Sequence, residues 1–201
     1  RKRGLAIGWA TVKHAPIPIL FLVLAALPAC KASMDLEILT DPESRIGAEV
    51  QAYPAGVIPG VRWEWPRSDR DVWFGRFAYN FADRGDFGEH DDESGGGFGL
   101  GAGWRRWQDD QKLGWHYGAR LDFWDLDIDW RDNAPTTRQG ATNVLVVQPT
   151  IEGGYSWNVR KGGRLDLTLG LGAELNVSTD GEDVGEGAIL LLGISYMPSK
   201  R

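Results

Sequence analysis

The stretch Arg164–Val177, RLDLTLGLGAELNV, alternates in side-chain character at every position. Leu165, Leu167, Leu169, Leu171, Ala173, Leu175 and Val177 fall on one face, and Arg164, Asp166, Thr168, Gly170, Gly172, Glu174 and Asn176 on the other. A period of two is the pattern of a strand whose sides meet different environments. Strands of ordinary sheets run to about 5–6 residues. This one exceeds the roughly 9–11 tilted residues that cross a bilayer. Apolar on one side and ionisable on the other, it predicts a transmembrane β-barrel strand between lipid and a polar lumen.

Outward from that stretch, the chain predicts seven more strands separated by turn signals. They are Arg45–Tyr53, Gly60–Pro66, Val72–Ala82, Phe98–Gln108, Leu113–Trp130, Asn143–Val159 and, after the quoted one, Ala188–Met197. In the second, Val61, Trp63 and Trp65 oppose Arg62 and Glu64; in the third, Trp73, Phe77, Tyr79 and Phe81 oppose Phe74, Arg76 and Asn80. The fifth starts with Trp115, Tyr117, Leu121 and Phe123 in phase and then switches to Trp124, Leu126, Ile128 and Trp130. That switch predicts a β-bulge, or else a strand that runs on beyond the membrane. Short connectors (Arg67–Asp71, Asp109–Lys112, Arg160–Gly163) alternate with longer ones (Pro54–Pro59, Asp83–Gly97, Arg131–Thr142, Ser178–Gly187). Tight turns on one side and extended loops on the other are expected of an outer-membrane barrel.

The bulk numbers fit one all-β domain behind a leader. The chain has 201 residues, 10 tryptophans, 27 glycines and a formal charge of -6. Acidity argues against a nucleic-acid partner, which needs a basic surface. The single cysteine, Cys30, rules out a disulfide or cysteine metal cluster within one chain. Residues 1–33 read as a signal peptide: basic Arg1, Lys2, Arg3 and Lys13, then an apolar run to Ala29 and small residues. Residues 34–44 form a linker, 45–197 the barrel and 198–201 a tail. Met34 is an alternative start, which would remove the leader.

From Arg45 to Tyr196 the chain resembles the small eight-stranded outer-membrane barrels of Gram-negative bacteria. The leader, the two-residue periodicity, the connector alternation and the aromatic strand ends carry the resemblance, which is one of architecture. Leu27-Pro28-Ala29-Cys30 also resembles a lipobox, which would make Cys30 a lipidation site. Gly193 and Tyr196 are similar to the signal read by the barrel-insertion machinery, with Pro198 where a second aromatic normally stands. The resemblance implies an all-β, antiparallel, up-and-down transmembrane barrel. Its partners would be outer-membrane lipids, lipopolysaccharide and the insertion machinery, and the barrel would be a monomer without cofactor.

Two residue sets follow. Trp63, Trp65, Trp73, Trp104, Trp107, Trp115, Trp130, Tyr155, Trp157 and Tyr196 are expected to form aromatic girdles, where a ring sits in lipid and its N–H or O–H finds a polar partner. Glu49, Arg62, Glu64, Arg76, Arg105, Arg120, Asp122, Glu152, Asp166 and Glu174 occupy the polar phase, and both signs are present. An eight-stranded barrel has an interior about wide enough for side chains to fill, so these groups predict a charge-bridged, plugged lumen. Parity leaves the direction of the faces open, and a soluble or lipid-anchored barrel around an apolar ligand would invert them.

Chemistry has thin support. His90 and Ser94, in the acidic segment Asp86–Ser94, are the candidates for acyl transfer or deacylation, as in the lipid A-modifying barrels, which would need both groups within hydrogen-bond reach. Asp180, Glu182, Asp183 and Glu186 are the hard-oxygen candidates for a divalent ion, without the spacing of a helix–loop–helix calcium site. The expected role is structural, adhesive or surface-interacting, with acidic outer loops and no catalytic centre.

Overall fold

A computed structural model describes residues 44–85, 88–159 and 163–199. The leader, most of the linker, and Cys30 and Met34 lie outside the described residues. Eight strands follow in chain order: β1 (Arg45–Tyr53), β2 (Gly56–Pro66), β3 (Asp71–Asp83), β4 (Asp92–Trp107), β5 (Gly114–Asp132), β6 (Arg138–Val159), β7 (Gly163–Asp180) and β8 (Gly187–Met197). Each pairs antiparallel with its neighbour, and β1 pairs with β8 to close the barrel. Closure pairs the two terminal strands over Ala48–Ala52 and Leu192–Tyr196 and satisfies backbone groups along that seam, as a lipid surrounding requires.

The wall is not of even height. β1 has 9 residues and β8 has 11, whereas β5 has 19 and β6 has 22. At about 3.3 Å per residue β6 runs about 70 Å, far more than a tilted bilayer crossing needs. The β4–β7 side therefore stands above the rest.

Two expectations are corrected here. The connectors predicted as long are partly strand: β2 begins at Gly56, leaving only Pro54 and Ala55 between β1 and β2, and β6 begins at Arg138. Proline and glycine near residues 54–60 suggested a loop, but Pro59 sits in the ladder opposite Val50 and the hairpin closes at Tyr53↔Gly56. The phase switch in β5 is not a bulge either. Its side chains alternate without a break from Trp115 to Arg131, and all pair in register with β6. A register shift falls instead on β7 opposite Leu145 and Val146, leaving Val177 as the extra residue. What changes along β5 is the chemistry of each face, because the strand leaves the membrane while its geometry continues.

Candidate functional site: a two-layered interior and a tall acidic wall

The outward face carries an apolar belt. Val50, Val61, Phe77, Leu100, Leu121, Ile151, Leu169 and Ile194 all point out, with Ile151 64% and Leu169 55% exposed. In water so broad an apolar surface would drive association; in acyl chains it is the expected state. Trp63, Trp65, Trp73, Trp104, Trp115, Tyr155, Trp157 and Tyr196 also occupy outward positions. Trp63 stacks on Trp65 with ring centroids 5.6 Å apart, and Trp115 meets Tyr155 edge-on at 5.3 Å.

Trp107 and Trp130, expected in the girdle, point inward and are only 1% and 7% exposed. Parity explains both. Trp107 shares the side of Arg105 on β4, and Trp130 that of Asp122 and Trp124 on β5. The Trp107 indole N–H donates to Ser156 Oγ at 2.9 Å, and the Arg164 guanidinium lies 4.6 Å from its ring.

Behind the belt the lumen holds a chain of ion pairs that alternates in sign. Arg62 bonds Glu49 at 2.6 Å, Glu49 bonds Arg76 at 2.6 Å, and Arg76 reaches Asp122 at 3.2 Å. Asp122 takes Arg120 at 2.8 Å, Arg120 reaches Glu152 at 3.4 Å, and Glu152 takes Arg105 at 2.7 Å. Arg105 meets Asp166 at 3.2 Å, Asp166 meets Arg164 at 2.8 Å, and Arg164 closes on Glu64 at 2.7 Å. The chain begins and ends on β2, at Arg62 and Glu64, after touching β1 and β3–β7. Five arginines balance five carboxylates, so the ring is formally neutral. Breaking into such a set by removing one partner leaves an uncompensated buried charge.

Nine of the ten polar-phase residues singled out above lie in this ring. The tenth, Glu174, also faces inward but belongs to a separate pair with Arg84. Sequence reading omitted Arg164 from the set, although it heads the polar face of the decisive stretch. It also omitted Arg84, because a residue between strands has no phase to read.

Above the ring the interior turns apolar. Ile58, Ala78, Trp124, Leu126, Ile128, Val144, Val146, Ile189 and Leu191 form one buried cluster, with Val184 packed in from the β7–β8 connection. The Trp124 indole donates to Gln148 Oε1 at 2.8 Å, and that of Trp130 to Thr142 Oγ1 at 3.2 Å. Glycine makes room for these rings: a side chain at Gly99 would run into Trp124, and one at Gly140 into Trp130. Over the same height the outward residues of β5 become Asp125, Asp127 and Asp129, and Asn143 Nδ2 donates to both Asp125 and Asp127 at 3.0 Å. Polar outside and apolar inside is the arrangement of a barrel in water, so β5 passes from one solvent to the other.

The rim is tied by His90 and Glu93. His90 stacks on Trp130 at 4.2 Å, with Nδ1 3.0 Å from Asp132 Oδ1 and Nε2 3.0 Å from the Asp183 carbonyl. Glu93 accepts from the backbone N–H groups of Glu89, His90 and Gly185 and from Arg84 at 3.1 Å. Burial alone would raise its pKa, but those donors outweigh it and hold the carboxyl below its ordinary value.

The proposed chemistry does not assemble. His90 spends both ring nitrogens on Asp132 and Asp183, while Ser94 faces outward opposite Asp129. The acids of the last connection also diverge. Glu182 pairs with Arg138, Glu186 accepts the Asn176 backbone N–H, and Asp183 offers its carbonyl to His90. Among the described residues no group of three or more His, Cys, Asp or Glu side chains could hold a metal.

The closed wall, apolar belt and filled polar lumen define the class: an eight-stranded, up-and-down transmembrane β-barrel of the outer-membrane kind. Solved structures similar to the chain include two barrels. The N-terminal β-barrel domain of Pseudomonas aeruginosa OprF shares 12% identity over 77% of this chain and 96% of that one, at a TM-score of 0.42. Neisserial surface protein A shares 11% over 76% and 92%, at a TM-score of 0.46. No family model and no curated protein matches the sequence.

Proposed function

We propose that the chain is a structural and surface-interacting barrel, exported to the outer membrane, closed to ions and without chemistry of its own. The observation that carries this is the two-layered interior. A neutral ring of paired charges and an apolar layer with Val184 as its lid fill the same lumen in series. An ion entering from either side would meet a neutral set of paired charges or an apolar layer. The taller β4–β7 side would then lift Asp125, Asp127 and Asp129 above the lipid, where a basic or cation-bridged surface could meet them. Its lipid contacts would include lipopolysaccharide acyl chains, and β8 would present Gly193 and Tyr196 to the insertion machinery.

Planar-bilayer recording tests the closed lumen. The purified barrel should add no stepwise conductance in 1 M salt, while an Arg105→Ala/Trp124→Ala double variant, if it folds, should. Stable ohmic steps from the unmodified barrel would refute the reading.

A further inference from the structure

The seam between β1 and β8 leaves a notch. The two strands pair only over Ala48–Ala52 against Leu192–Tyr196. β1 then turns away, while β8 stays on β7 as far as Gly187↔Glu174. Residues 187–191 thus have β7 on one side and no β1 partner on the other. Beside this bare edge lies a cavity of about 330 Å³, bounded by Tyr53, Ala55, Ile189 and Leu190, with Arg84 and Glu174 on its inner side. Leu190 points outward and Ile189 inward, so the notch leads through the wall toward the charged pair.

Charge there is unevenly shared. Arg84 donates to the Gly185 carbonyl at 2.6 Å, to Glu93 at 3.1 Å and to Glu174 Oε2 at 3.3 Å. Glu93 has backbone N–H donors besides; Glu174 has only the longest of these contacts. Its Oε1 has no hydrogen-bond partner among the described residues, and the residue is 7% exposed. Two carboxylates facing one guanidinium leave a negative charge in excess, and a buried acceptor without a donor is costly. The missing complement is an N–H donor that carries positive charge. Glu186 also lines the cavity, with its Oε2 taken by the Asn176 backbone N–H; Pro54, Ala55, Ala188, Ile189, Leu190 and the Tyr53 ring supply apolar wall, so that donor should sit on an aliphatic body.

We propose that this notch binds an aliphatic primary ammonium, its N–H groups against Glu174 and its carbon chain along Ile189 and Leu190. The inference is independent of the closed-lumen reading. The same chemistry has two sources: the headgroup of an ethanolamine phospholipid reaching in from the membrane, or a free alkylamine. A quaternary ammonium, which lacks N–H donors, should be rejected.

The test uses the folded barrel in phosphatidylcholine nanodiscs, followed by amide NMR during titration with hexylammonium. Saturable shifts centred on Gly187–Leu190 are expected, with tetramethylammonium giving none. Glu174→Gln, of the same shape, should weaken binding at least tenfold. Leu190→Trp should block the notch from the lipid side, where a large apolar ring is tolerated. If discs containing phosphatidylethanolamine reproduce the shifts and compete with hexylammonium, the lipid is the source; if they do neither while hexylammonium binds, the free amine is. Absence of saturable shifts at these amides in both lipids, or equal affinity in folded Glu174→Gln, would overturn the proposal.

Discussion

An arginine walked along the outward face of β5 should report where lipid ends. From Trp115 to Phe123 the strand advances eight residues. At about 3.3 Å per residue and a tilt of about 40°, that is a rise of about 20 Å, close to the apolar band of about 25 Å expected for such barrels. Ala119 lies at the middle of this interval, and Asp127 stands about 10 Å above Phe123 by the same arithmetic. Ala119→Arg should therefore cost about 2–4 kcal/mol and Asp127→Arg about 0–1 kcal/mol. Both positions are exposed, so neither variant disturbs interior packing. Reversible urea unfolding from lipid vesicles measures the difference. Equal costs at the two positions, or a larger cost at Asp127, would refute the placement of the belt.

Three further outcomes follow from the interior and rim. Trp124→Ala empties a fully buried site in the apolar layer and should cost about 3–5 kcal/mol in the same unfolding assay; a loss below about 1 kcal/mol would mean the layer is not packed. Arg105→Ala leaves four arginines against five buried carboxylates, with Glu152 held by Arg120 alone and Asp166 by Arg164 alone, and should cost about 3–5 kcal/mol, with part of it recovered when Glu152→Ala is added; a recovery of nothing would argue against their coupling. Because the folded Glu93 carboxyl titrates below its ordinary value, its contribution is complete above the ordinary glutamate range and disappears as pH falls through the lowered one. Amide protection factors, corrected for the intrinsic exchange rate at each pH, should fall at Glu89, His90 and Gly185 on that acid side, and Glu93→Gln should remove that fall.

Sequence periodicity located strands and side-chain parity well, because a strand alternates whatever surrounds it. The assignments for β6, β7 and β8 rest on runs such as Leu165–Val177 that stay within one solvent. Parity failed to say which face is apolar once a strand leaves lipid, so the unbroken alternation of β5 read as a phase switch at Trp124. Trp107 and Trp130 were misplaced for a related reason: tryptophan favours an interface, but here each fills an inner position where its N–H finds Ser156 or Thr142. The paired ring was legible only as a set of inward charges. Which arginine meets which carboxylate depends on stagger between strands, and Arg164 reaching Glu64 across the β7–β2 gap has no signal in spacing. The notch at β8 depends on where β1 stops, and Pro54–Pro59 suggests a longer loop than the structure has.

The most direct measurement of the central claim is a nitroxide scan of β5, one cysteine at a time, with oxygen and a nickel chelate as lipid- and water-borne relaxers. Odd-numbered positions from 115 to 123 should favour oxygen, those from 125 to 131 should favour nickel, and even-numbered positions between them should be shielded from both. Nickel access at Leu121 and Phe123, or oxygen preference persisting through Asp127 and Asp129, would contradict a wall that crosses from lipid into water at Phe123.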